Sequence, residues 1–213
     1  MSWLALDASG SRAGLAVLDD GGAILREAFA PLKPGLIETL PVLLAEALEG
    51  QTITNVAVGI GPGSFTGLRT VIALAQGYAA AAALPLWGVP VVAAFQQALP
   101  GLHHPLWGVV RARKGRVFLL QGETAEAFVD EDVPSPGSLT ALAGEAAAEI
   151  AARLAARGAD IMLTNVKTVH PAWVGRAAQA WSAAGLPPHP ALPLYVDPPE
   201  AKLPSAGLRP APV

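Results

Sequence analysis

Asn55-Val56-Ala57-Val58-Gly59-Ile60-Gly61-Pro62-Gly63-Ser64-Phe65-Thr66-Gly67-Leu68-Arg69 carries the chain from a short apolar run, through a glycine-rich turn, into a long amphipathic segment. Asn55 to Ile60 reads as a buried strand, Gly61 to Gly67 as a loop, and Leu68 to Leu84 as a helix that stops at Pro85. A strand feeding a helix through a tight turn is the building unit of an α/β fold.

Upstream, Trp3 to Asp7 and Ala13 to Leu18 read as strands, and Asp19-Asp20-Gly21-Gly22 supplies a hairpin turn to a third strand ending near Phe29. These three are expected to be antiparallel. Leu36, Leu40, Leu43, Leu44, Ala47 and Leu48 recur at helical spacing, with Pro41 predicting a kink or a late start. Downstream come a strand over Leu86 to Val89, a helix over Val91 to Leu99 and a connector from Pro100 to Pro105. The order then starts again. Leu106 to Val110, Arg116 to Leu120 and Ala127 to Val129 read as strands, Ser138 to Arg157 as a helix, Ala159 to Thr164 as a strand and Trp173 to Ala184 as a helix. The expectation is an α/β chain of tandem βββαβα halves without residue-level repetition. It divides into a first lobe at 1–100, a smaller second lobe at 101–190 and an extended proline-rich tail at 191–213 whose last residues are disordered.

The 213 residues allow one domain or two small ones at roughly 150 residues each. With 14 Lys+Arg against 17 Asp+Glu, the net charge of −3 gives no basic footprint for a stand-alone RNA binder. Zero cysteines exclude disulfides, thiolate metal sites and a cysteine nucleophile. The mean hydropathy of +0.43 reflects 43 alanines rather than a membrane span. No charge falls between Arg69 and Arg111, but the helix within that stretch ends at Pro85, short of the about 20 apolar residues a span needs, and reads as buried. The N-terminus lacks the basic flank of a signal peptide, so a cytoplasmic protein is expected.

Asp7-Ala8-Ser9-Gly10-Ser11 places a carboxylate and small residues at the end of the first strand, either to meet a phosphate and its metal or to turn a hairpin. The loop of Gly61, Pro62, Gly63, Ser64, Phe65, Thr66 and Gly67 either attracts an anion to a helix start, beside Arg69, or uses Ser64 or Thr66 as a helix cap. It lacks the Gly-Lys-Ser/Thr ending of a phosphate-binding P-loop and the spacing of a dinucleotide fingerprint. Gly67, Thr70, Ala73, Gly77, Ala80 and Ala81 form a stripe of small residues on one helix face. It suits close approach of the 36–48 helix, of a helix from another subunit, or of both. His103, His104, His170 and His189 have no metal-pair spacing, and no nucleophile elbow occurs.

The two βββαβα halves resemble the actin-like ATPase superfamily. More specifically, Gly61 to Arg69 after an Asp7-Ala8-Ser9 first strand closely resembles the signature of the TsaB (YeaZ) family. The likeness continues through Ala75-Gln76-Gly77, Pro85 to Val89, Ala112 to Phe118 and Pro193 to Val196, nearly the whole chain. It implies a two-lobed actin-like fold and a place in the bacterial machinery that puts threonylcarbamoyl on N6 of the adenosine next to the tRNA anticodon. Members of the family resemble degenerate copies of the catalytic subunit TsaD; they pair with it and with the ATPase TsaE, and have no catalysis or cofactor of their own. The paired histidines with which TsaD-type enzymes hold a metal are missing, so no metal is expected. The resemblance places the partner interface on Leu36, Leu40, Gly67, Arg69, Thr70, Ala73, Gly77 and Ala80, leaves Asp7 and Ser9 as vestiges of a nucleotide site, and gives the Gly61 to Thr66 loop a structural role. A homodimer is expected when the chain is alone, and contact with tRNA only through the complex.

Three departures stand out. Arg111 replaces the acid that relatives commonly carry before Ala-Arg, Lys33-Pro34-Gly35 occupies a turn that often holds a histidine, and Asp197 replaces an arginine in Tyr195-Val196-Asp197. The competing expectation is a small actin-like ATPase or kinase using Asp7, Ser9 and the Gly61 to Gly67 loop.

Overall fold

The computed structural model describes residues 2–32 and 35–196; expectations for Lys33, Pro34, Asp197 and the rest of the proline-rich tail lie outside the described residues. The first half runs β1 (Ser2–Asp7), β2 (Arg12–Asp19), β3 (Ile24–Pro31), α1 (Leu36–Leu48), β4 (Ile53–Gly61), α2 (Phe65–Ala82), β5 (Leu86–Pro90) and α3 (Val91–Ala98). The second runs β6 (Leu106–Arg113), β7 (Arg116–Gln121), β8 (Thr124–Val129), β9 (Thr140–Ala143), α4 (Ala147–Ala156), β10 (Ile161–Leu163) and α5 (Pro171–Ala183).

Each half builds one five-stranded sheet, ordered β3-β2-β1-β4-β5 and β8-β7-β6-β9-β10. In both, the first three strands form an antiparallel meander and the last two add in parallel to the first strand. The two sheets therefore repeat one topology, but the element order expected of both halves, βββαβα, is not kept in the second, which runs ββββαβα. β1 is buried along its whole length, as an apolar run in the middle of a sheet must be. The β2–β3 turn forms where expected: Asp19 Oδ1 accepts the Gly21 and Ala23 amides at 2.9 and 2.8 Å.

Three local expectations are corrected. The predicted helix over 138–157 is a strand followed by a shorter helix. Thr140–Ala143 is fully buried between β6 and β10, so parallel pairing on both sides overrides the helical preference of its alanines. Gly144, at φ 120°, then turns the chain so tightly that a side chain there would collide with the Val109 carbonyl. As a result the second half has a loop over 130–139 where the first half has α1. The second correction concerns α1, which begins at Leu36 without delay. Its first turn is secured by the Thr39 amide and hydroxyl, both donating to the Gly35 carbonyl, and Pro41 lies on the outward side. The third is α2, which starts at Phe65 and is only half-buried.

The layers alternate. α1 and α2 cover one face of the first sheet, enclosing a core with Leu4, Leu15, Leu40, Val56 and Val71. α4 covers the far face of the second sheet over Val109, Leu142 and Ile150. Between the sheets lie α3 and α5, and a single cluster joins Ala5, Leu18 and Trp87 of the first sheet to Leu106, Val110 and Leu120 of the second through Phe95, Val174 and Ala178. α5, from the second half, packs on β1, β2 and β4 of the first. Gly175 permits it, because a side chain there would strike Leu18. Among the described residues no helix is long and apolar enough to cross a membrane.

Candidate functional site

The Asp7–Ser9 turn and the Gly61–Gly67 segment meet at the carboxyl ends of β1 and β4, the place where open α/β sheets hold their sites. Asp7 is buried, and its Oδ2 accepts the Ser9 amide at 3.0 Å and the Ser9 hydroxyl at 2.9 Å. Its Oδ1 has no hydrogen-bond partner among the described residues and lies against Gly59 of β4, where a side chain would overlap it. Burial pushes the Asp7 carboxyl up to about 6, against the opposing pull of the Ser9 bonds.

The glycines of the loop serve close approach. Gly61 is left-handed at φ 96°, Gly63 leaves no room for a side chain over the Ser9 backbone, and Gly67 sits against the Ala8 carbonyl. Ser64 is the cap the sequence allowed for: its hydroxyl accepts the Gly67 amide at 3.3 Å. The Ser64 amide donates to the Ser9 carbonyl at 3.0 Å and the Leu68 amide to the Ser64 carbonyl at 2.9 Å. Three amides that a loose anion loop would present are thus already engaged within the chain.

Across the cleft stands the second half. Arg111 Nη1 bonds both Asp130 oxygens at 2.8 Å, its Nη2 bonds Glu149 at 2.6 Å, and its amide donates to Glu145 at 3.1 Å. The Asp130 side chain is only 4% exposed, so the guanidinium offsets a buried charge. A cavity of about 680 Å³ separates the lobes, walled by Ser9 and Gly63 on one side and Arg111 and Glu145 on the other, with Tyr195 also in its lining. Among the described residues no three His, Asp or Glu side chains gather as metal ligands. His103 and His104 are exposed in the 99–105 connector, and His189 is exposed beyond α5. His170 instead caps α5, its Nδ1 accepting the Ala172 amide at 3.2 Å, and burial holds its pKa below the usual imidazole value.

The expected interface residues divide into two sets. Leu36, Leu40 and Gly67 are buried and belong largely to the chain's own core. Ala73, Gly77 and Ala80 face outward with Arg69, and Thr70 is half-buried. α1 does not close over the stripe. A groove of about 480 Å³ runs between the two helices, floored by Leu40 and edged by Ile37, Phe65, Thr70 and Ala73, and none of the described residues lies within 4 Å of a side chain placed at Gly77. Ile37 at 68%, Val42 at 55% and Phe65 at 58% are among the most exposed large apolar side chains described. The sequence did not point to Ile37 or Val42, and it offered Tyr195 only as part of the family likeness; the apolar character of Ile37 and Val42 was visible, their outward placement was not.

Fold and cleft together define a two-lobed actin-like protein. No curated protein matches the chain by sequence. The family described as TsaD, tRNA N6-adenosine threonylcarbamoyltransferase, matches residues 35–188. A crystal structure of an uncharacterized protein with similarity to peptidase YeaZ from Pseudomonas aeruginosa superposes with a TM-score of 0.74 at 23% identity, over 92% of this chain and 99% of that one. YeaZ from Pseudomonas aeruginosa gives 0.71 at 24% identity, over 91% and 99%. Component A of (R)-2-hydroxyglutaryl-CoA dehydratase from Acidaminococcus fermentans gives 0.50 at 10% identity, over 87% and 99%. The chain belongs to the TsaD family, and it shares its fold with YeaZ, the TsaB-type group whose signature Gly61 to Arg69 resembles.

Proposed function

We propose that this chain is a non-catalytic partner subunit of a cytoplasmic tRNA threonylcarbamoyltransferase complex, docking on TsaD through the outer face of α1 and α2. The observation that carries the reading is that face. It leaves an apolar groove open between two helices and places a helical glycine, Gly77, where none of the described residues packs on it. Glycine inside a helix costs about 1 kcal/mol relative to alanine, which close approach of a second helix offsets. TsaE joins through TsaD, and tRNA is met only within the complex. With no TsaD present, two copies of the same face form a homodimer, since one self-complementary patch serves both.

Arg111 supports the lack of turnover. An ATPase of this architecture carries an acid in the turn that opens its second half; here that position is Arg111, whose guanidinium is held by Asp130 and Glu149, and the Glu145 carboxylate on the same wall accepts the Arg111 amide. Light scattering after size exclusion, on the chain alone and mixed with TsaD from the same organism, tests the proposal. The expected result is a homodimer alone and a stable heteromer in the mixture, both lost in Ala73→Glu and Gly77→Glu. Separate elution at micromolar concentration, with TsaE and ATP present, would overturn it, and magnesium-dependent nucleotide binding that is lost in Asp7→Ala would then favour the small ATPase.

A further inference from the structure

We propose that residues 189–196 form a strap, latched at its end by Tyr195 onto Arg69 and Phe65, through which the α1–α2 face and the inter-lobe cleft influence each other. The coupling half of this inference rests on the partner reading above.

After α5 the chain crosses back over the first half on a few separate anchors. The His189 carbonyl accepts the Gly88 amide of β5 at 2.8 Å, and the Pro190 carbonyl lies so close to Gly88 that any side chain there would strike it. The Ala191 carbonyl accepts Gln76 Nε2 of α2 at 2.9 Å while its methyl is buried in the core beneath α1 and α2. The Leu194 amide then donates to the Ile60 carbonyl at the end of β4, at 2.8 Å. The hydrogen bonds among these anchors use the strap's main chain, and of its side chains Ala191 is buried in the core while Leu192 is exposed.

Tyr195 is different. Its hydroxyl accepts from both Nε and Nη2 of Arg69, at 2.9 and 2.8 Å, and the guanidinium lies 3.6 Å over the Phe65 ring. Tyr195 and Phe65 also meet ring to ring at 6.3 Å. A charged donor shared by a phenol and stacked on an aromatic face is a directional contact. It ties the strap to the first turn of α2.

Position gives the latch its role. Pro193, Leu194, Tyr195 and Val196 wall the cleft, while Phe65 and Arg69 wall both the cleft and the α1–α2 groove. A helix seated in the groove therefore touches the catch of the latch from outside, and release of the strap opens the cleft from within. Segments held by isolated hydrogen bonds open at lower free energy than the sheets beneath them, so the strap can move without unfolding its surroundings.

Amide hydrogen exchange on the full chain tests the latch. In Tyr195→Ala, exchange at Leu194 should rise about tenfold or more, with Tyr195→Phe intermediate because the ring contact survives and the hydroxyl does not. Amides of β1 and β2 should exchange as in the parent chain, which shows that the fold is intact. Coupling is read with TsaD added: exchange at Leu194 in the parent chain should change on complex formation, and Tyr195→Ala should alter affinity for TsaD by about the factor expected from reciprocity. Unchanged exchange at Leu194 in Tyr195→Ala overturns the latch. A loosened strap with affinity for TsaD unaltered overturns the coupling while the partner reading stands. No binding of TsaD by the parent chain overturns the partner reading and the coupling with it, whereas the latch is still decided on the isolated chain.

Discussion

Asp7 is surrounded by protein, and its two oxygens have unequal fates: Oδ2 takes both Ser9 hydrogen bonds and Oδ1 takes none among the described residues. Its pKa is about 6 folded against 3.8 for an ordinary aspartate, so between those values the folded chain holds the proton more tightly than the unfolded one. Stability therefore falls as pH rises from about 4 to about 6, and the penalty for ionised Asp7 remains above that; a pKa separation of about 2 corresponds to about 3 kcal/mol. Asp7→Asn removes the titration while keeping one oxygen to accept from Ser9. Melting temperatures of both proteins between pH 4 and 7.5 should show the parent losing ground to the variant as pH rises through that window. A difference that stays constant with pH would mean that Asp7 is not held protonated by burial. The sequence displayed this residue plainly as Asp7-Ala8-Ser9, but its burial depends on Gly59, more than fifty residues away, and no local pattern reports that. Arg111 is a similar case. Its replacement of an acid was visible, but its partners Asp130 and Glu149 lie 19 and 38 residues further on.

At the scale of elements, α2 shows how one helix carries two kinds of glycine. Gly67 is pressed against the Ala8 carbonyl, whereas Gly77 faces open space. Gly77→Ala should therefore raise the stability of the isolated chain by about 1 kcal/mol, or about 2–4 °C in Tm at this chain length. The same change should weaken association with TsaD if the helices approach closely at that point. Thermal melting at concentrations too low for the homodimer and titration calorimetry on one variant read both effects, and a monomer Tm that falls would show that Gly77 already packs within the chain. The stripe itself was legible from periodicity of three and four. What covers it was not, because helical spacing fixes a face without naming the neighbour, and here α1 stands away from it. Most strands were legible for the opposite reason: apolar runs such as Leu4 to Leu6 or Val56 to Val58 are bounded by turn residues and lie central in a sheet. Thr140–Ala143 escaped because an alanine-rich stretch satisfies helix and strand patterns alike, and only β6 and β10, distant in sequence, decide between them.

The whole molecule has two sheets but no clean division between them, since α3 and α5 lie in the layer both sheets share and α5 rests on strands of the other half. Phe95 of α3 is 1% exposed within that layer. Truncating it to alanine leaves a cavity open to both sheets, with a cost of about 3–5 kcal/mol. If the layer binds the halves into one cooperative unit, Phe95→Ala lowers amide protection together at Val58 of β4 and Leu119 of β7, and denaturant unfolding remains a single transition with a lower midpoint. Loss of protection confined to β4, with β7 as protected as before, would instead mean that each sheet is stabilised by its own outer helices. A lobe so stabilised could hinge freely against the other. The shared layer argues for a rigid pair, in which movement at the cleft falls to the proposed strap rather than to rotation of one lobe against the other.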